Sequence, residues 1–115
     1  MINFLLETSE YIYFNGLKIS DITFIGSKDG EYECNWEDFI YIADFEYDNG
    51  YGLAEIPLDL VILFVDGTRM MRYEYDGREN WSIIRPYNKQ GVSKPIKCLY
   101  SKNGKSTVKE LNSNI

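Results

Sequence analysis

Histidine is absent from this 115-residue chain. That removes the commonest general base, the Ser-His and Cys-His nucleophile systems and nearly every zinc site. Cysteine is scarce: only Cys34 and Cys98 occur, with no CxxC spacing. The pair reads as two reduced thiols, with a single disulfide as the alternative. Each glycine is expected to belong to a turn, which leaves no Gly-rich loop to cradle a phosphate. No apolar run is long enough to span a bilayer. The opening MINFLLETSE has a short apolar run and no basic flank, so a signal peptide is not expected and a cytoplasmic setting is.

What is present is a core-forming composition. Apolar residues make up 44% and aromatics 16%, with ten Tyr and six Phe, which argues against disorder and for sheet. The length suits one domain. Charge is divided along the chain. Residues 1–66 carry fourteen acids against Lys18 and Lys28, a balance of −12. Residues 67–115 carry ten bases against Glu74, Asp76, Glu79 and Glu110, a balance of +6. Such asymmetry reflects interaction surfaces more than folding needs.

Local patterns predict an α+β fold: an antiparallel sheet of about five or six strands, hairpin plus meander, with one helix packed on a face. Asn15-Gly16 lies between two β-rich runs over residues 11–25, which predicts a hairpin with a type I′ turn. The SKDG of 27–30 signals a second turn into EYEC. Asn35 should cap a helix over about 36–45, with Glu37 and Asp38 at its positive end and Trp36, Phe39, Ile40 and Ala43 on one face. The stretch EYDNGYG (46–52) should break regular structure. LDLVILFV (58–65) reads as a central buried strand. Asp66-Gly67 and Asp76-Gly77 should then turn it through TRMMRYEY (68–75) into NWSIIRP (80–86). PIKCLY (95–100) is expected as a final strand, followed by a polar, basic tail from about 101 holding at most one helical turn.

Four constellations bear on chemistry. Asp44, Glu46, Asp48 and Glu55 fall at positions 1, 3, 5 and 12 of an EF-hand-like spacing. However, position 6 is Asn49, position 3 is Glu, and no good helix follows, so no metal site is assigned and an acidic loop is the expectation. Glu74, Asp76 and Glu79 lie near Arg72 and Arg78, but around a two-residue turn where solvated charge is expected rather than acid/base catalysis. No catalytic residue and no cofactor is assigned, and the chain reads as a non-enzyme. Along 68–75, alternation puts Arg69, Met71, Tyr73 and Tyr75 on one face and Met70, Arg72 and Glu74 on the other. With Arg78, Arg85 and Trp81 they offer a surface for stacking on a base and pairing with a phosphate. The alternative reading sends Met70 or Met71 into the core and pairs the arginines with first-half acids. A pI near 4.6 opposes direct nucleic-acid binding. The fourth constellation is the acidic half. Its carboxylates, interleaved with Tyr, Trp and Phe, suit the basic groove of a nucleic-acid enzyme.

The run WEDFIYIADFEYDNGYG, then IPLDLVILFVDG and RYEYDGRENW, resembles a family of short proteins encoded by phages and prophages. The resemblance spans roughly residues 19–86. It rests on Trp36, Phe39, Ala43, Tyr47, Asp48, Gly50, Gly52, Asp59, Leu60, Asp66, Gly67, Arg72, Tyr75, Asp76, Gly77, Glu79 and Trp81. Small acidic phage proteins without catalytic residues are often inhibitors of host defence, anti-CRISPR proteins among them, although no motif of those inhibitors falls on these positions. The resemblance implies a fold and a mobile-element origin, and analogy of size and acidic charge extends the expectation to a non-enzymatic counter-defence protein. The partner-binding residues expected for it are Glu37, Asp38, Asp44, Glu46, Tyr47, Asp48, Tyr51 and Glu55, facing a host defence protein or nucleoprotein with no membrane involved. A nucleotide-signal binder using Arg69, Arg72, Arg78, Trp81 and Arg85 is the alternative. Opposite-charge halves also allow a homodimer.

Overall fold

The computed structural model describes residues 1–50, 52–88 and 91–113. It is an α+β fold with two antiparallel sheets, one of two strands and one of five. The first element is the two-residue strand β1 (Ile2–Asn3), which runs directly into helix α1 (Phe4–Phe14). Here the expected 11–25 hairpin is overturned. The Asn3 side chain accepts the Leu6 N–H at 2.9 Å and caps the helix. Phe4, Thr8 and Ile12 recur every four residues and are its buried face.

Asn15-Gly16 ends α1 instead of turning a hairpin. The Gly16 N–H reaches the Tyr13 carbonyl at 3.1 Å, and the Leu17 N–H reaches the Ile12 carbonyl at 3.0 Å. That pair of bonds is a Schellman closure, with Gly16 at φ +71°. A type I′ turn and a Schellman closure both need left-handed backbone. The same dipeptide therefore serves either, and the helical repeat upstream decides.

A 3₁₀ turn at Ile19–Asp21 leads into β2 (Ile22–Ser27), which pairs with β3 (Glu33–Cys34) across the 27–30 turn. Gly26 stands inside β2, contrary to the expectation that every glycine is a turn residue. A Cβ there would lie 2.0 Å from the Tyr32 carbonyl oxygen. Helix α2 (Trp36–Ile42) follows, shorter than expected, with the Asn35 side chain accepting the Asp38 N–H at 2.8 Å. Phe39 and Ala43 are buried and Trp36 half-buried, but Ile40 is exposed. The apolar stripe is therefore narrower than the sequence pattern. Within the acidic stretch Glu46–Tyr47 forms β4, paired with β1.

Strands β5 (Leu60–Phe64), β6 (Arg69–Tyr75) and β7 (Arg78–Ile84) complete a sheet in the order β3-β2-β5-β6-β7. The most apolar strand is central, as its composition requires. The β6–β7 turn holds Asp76 at φ +53° and Gly77 at φ +84°, the geometry of a type I′ turn. One face of the sheet carries Ile25, Ile62, Phe64, Met70 and Trp81, which join Phe4 and Ile12 of α1 and Phe39 beside Ala43 in a single core. Two helices, not one, thus close that face.

The expected strand over 95–100 is absent; those residues form no ladder. Asn112 holds them instead. Its side chain accepts the Lys97 and Cys98 amides at 2.8 and 2.9 Å and donates to the Cys98 carbonyl at 3.0 Å. Asn112 is the last residue of the short helix α3 (Val108–Asn112), which is closed by a capping box between Thr107 and Glu110. Among the described residues no helix is long and apolar enough to cross a membrane.

Candidate functional site

Two regions concentrate functional groups: one inside the core, one on the surface. The interior region centres on Arg72, whose side chain is fully buried. Strand alternation sends Arg72 to the core face beside Met70 and Trp81, where its guanidinium meets three rings. The carbon of that group lies 4.9 Å from the Trp81 ring centre, 5.2 Å from Phe4 and 5.8 Å from Tyr47. Such placement supplies cation–π attraction in a site shielded from water. Nη2 donates to Glu79 Oε1 at 3.1 Å and to the Tyr47 hydroxyl at 3.0 Å. Tyr47 in turn donates to Glu7 Oε1 at 2.6 Å. Nη1 lies 3.6 Å from the same Glu7 oxygen, an ion pair without a hydrogen bond.

Glu79 is 2% exposed, which overturns the expectation of a solvated turn carboxylate. It accepts the Glu55 and Ile56 amides at 2.6 and 3.1 Å as well as Arg72. Glu74 is exposed and takes the Gly77 N–H, while Asp76 sits in the turn itself. The three carboxylates therefore do not act together. The node holds one guanidinium against two carboxylates. Burial is the main cause that raises the Glu7 carboxyl above its ordinary value, with the Glu79 charge adding to it; the Tyr47 hydroxyl and Arg72 pull the other way. Burial and the bond to Glu7 push the Tyr47 phenol well up. Trp81 completes the region by donating to the Thr8 hydroxyl at 2.9 Å.

This arrangement fastens elements rather than presenting chemistry. It joins α1, β4, the 55–56 segment and the β6–β7 pair through groups that face inward. Glu7, Thr8 and Phe4 belong to it only because the N-terminal stretch is a helix, which the sequence patterns above do not indicate. The signal that identifies them is the Asn3 cap with apolar or small residues every fourth position.

Of the residues expected to bind a nucleotide, Arg72 and Trp81 are thus engaged in the core. Arg69 and Arg78 are exposed, and Arg85 donates to the Asn15 carbonyl. The five are not brought to one surface. Met70 enters the core, and Arg72 pairs with Glu7 of the first half and Glu79 of the second.

The surface region is the acidic one. Glu37, Asp38, Asp44, Glu46, Asp48 and Glu55 are all exposed. Tyr47 is instead buried at 2%, and Tyr51 lies outside the described residues. Tyr41, on the side of α2 away from Phe39, supplies the exposed ring beside Glu37 and Asp38 at 84% exposure.

Three of the four carboxylates of the EF-hand-like spacing accept hydrogen bonds from the chain itself. Asp44 accepts from Asn3 at 2.9 Å, Asp48 from the Gly50 amide at 2.9 Å, and Glu55 from the Asp48 amide at 3.0 Å. Among the described residues no three His, Cys, Asp or Glu side chains gather as a metal site. Both cysteines are free. Burial, with Asp38 and Glu33 nearby, raises the Cys34 thiol above its ordinary value and disfavours the thiolate.

Fold and site together define a small α+β protein with a largely buried ionic cluster and an acidic helix face. Compared with protein-family models, curated proteins and solved structures, the chain matches none.

Proposed function

We propose that this chain is a non-catalytic binding protein whose acidic α2 face engages a basic surface on a nucleic-acid-handling partner. The observation that carries the reading is the outer side of α2. There Glu37 and Asp38 stand in the first turn beside the exposed Tyr41, with Asp44, Glu46 and Asp48 following. Clustered carboxylates around an aromatic ring match the phosphate-and-base pattern that a nucleic-acid groove is built to accept. They also steer association with a cationic surface. The charge pattern and the resemblance to phage and prophage proteins support reading the partner as a host defence complex, inhibited in the manner of an anti-CRISPR protein.

The test is capture from a bacterial lysate with the immobilised chain and its Glu37→Lys, Asp38→Lys variant. A basic partner should be retained by the wild type at low salt, released as salt rises, and lost with the variant. Retention that is indifferent to salt or to the charge reversal defeats the proposal.

A further inference from the structure

The acidic body and basic end of the chain are opposite in sign, and each leaves apolar side chains exposed. Residues 1–91 hold seventeen acids against seven bases, a balance of −10. Residues 92–115 hold five lysines against Glu110, a balance of +4. On the body, a groove of about 380 Å³ opens along α2 and β2. Its apolar lining includes Ile42, Phe45 and Ile56, and Glu33, Glu55 and Asp59 also line it. Ile42 and Phe45 are 64% and 42% exposed, so apolar surface is left facing solvent.

The C-terminal segment has the matching pattern. Ile96, Leu99 and Tyr100 are exposed, with Lys97 between them and Lys94 and Lys102 on either side in sequence. Among the described residues, every hydrogen bond of 97–113 stays within that segment. The molecule measures 58 × 33 × 27 Å, and its radius of gyration is 19.1 Å. A compact chain of this length has a value of about 13 Å. The segment therefore stands off its own body and leaves that body's groove open.

We propose that the C-terminal segment of one copy seats in the acidic-rimmed groove of a second copy, and that the exchange is reciprocal about a two-fold axis. Apolar side chains flanked by lysines meet an apolar floor flanked by carboxylates. Reciprocity doubles the buried area, which a single short segment would leave small for a specific interface. Like-charged bodies then approach only through the oppositely charged segments, which fixes the register of the pair. Glu37, Asp38 and Tyr41 do not line the groove, so the exchange leaves the α2 outer face free.

The test is the solution mass of the full chain by light scattering at low salt. One variant reverses the rim with Glu33→Lys and Asp59→Lys. The other reverses the segment with Lys94→Glu, Lys97→Glu and Lys102→Glu. All five positions are exposed, and circular dichroism checks that both variants fold. The wild type should have twice the chain mass and each variant the single-chain mass. An equimolar mixture should recover the doubled mass, because each reversed rim then faces a segment of opposite sign.

Tyr100→Asp, far from the core, gives a second disruption should a rim variant fail to fold, and it should also yield single chains. A monomeric wild type, a doubled mass that survives either reversal, or a mixture that stays monomeric overturns the proposal. Lysate capture by a monomeric wild type would leave the proposed function standing without this one.

Discussion

At the scale of single residues, the molecule buries the charges of Arg72 and Glu79 and leaves Glu7 only partly exposed beside them. Arg72 satisfies Glu79 and leans on three rings, but Glu7 is the second carboxylate around one guanidinium. Its folded-state value is raised above the ordinary 4.5, first by burial. A raised carboxyl binds its proton more tightly when folded. Its stabilising contribution is then full below about pH 4.5 and is lost as pH rises through the raised value. The Glu7→Gln variant keeps an acceptor for the Tyr47 hydroxyl and removes this titration. Urea midpoints of both proteins between pH 4 and 7 measure it. The wild type should lose ground relative to Glu7→Gln as pH rises. A constant difference across that range would mean that Glu7 keeps its ordinary value.

Elements follow from local signals where those signals admit one reading. The Asp-Gly turns at 66–67 and 76–77 specify the β5–β6–β7 meander, and Asn35 specifies the start of α2. Asn15-Gly16 admits two readings, and the competing evidence, a helical repeat at Phe4, Thr8 and Ile12 behind the Asn3 cap, lies in residues that also look β-prone. The 95–100 run has strand composition but no neighbour to pair with, and pairing is what sequence composition does not encode. Arg72 and Glu79 are visible as charges, but their burial depends on α1 closing over them. Gly26 hides its role similarly, since the Tyr32 carbonyl approaches only once β3 folds back.

That closeness makes Gly26→Ala the sharpest probe of an element. The new methyl would sit 2.0 Å from a backbone oxygen, so the β2–β3 hairpin must open. A cost of about 3 kcal/mol is expected, at the upper end for overpacking. At Gly16, φ is +71° but, its own chain neighbours aside, no atom lies within 4 Å of the place a methyl would occupy; Gly16→Ala should cost only about 1–2 kcal/mol of left-handed strain. Denaturant melts of the two variants give the comparison. Equal losses would show that the hairpin accommodates the methyl by shifting.

At the scale of the whole molecule, stability and charge are carried by different parts. The core runs from Phe4 to Trp81, and among the described residues none of its members lies beyond residue 81. The segment 97–113 supplies it with no described hydrogen bond. Its clasp at Asn112 and its capping box organise only themselves. A chain ended after Gly91 should therefore keep its fold and, at concentrations low enough to be monomeric, melt within about 2 °C of the full chain. A loss of 1 kcal/mol in a domain near this size would lower the midpoint by about 4–8 °C, which scanning calorimetry resolves easily. Concentration supplies the second arm of the measurement. If copies exchange their segments, the full chain is stabilised by mass action and its midpoint climbs with concentration, whereas the shortened chain's stays fixed. A large drop at low concentration would instead mean that the basic end braces its own acidic body, and the division between a stabilising core and an associating end would fail.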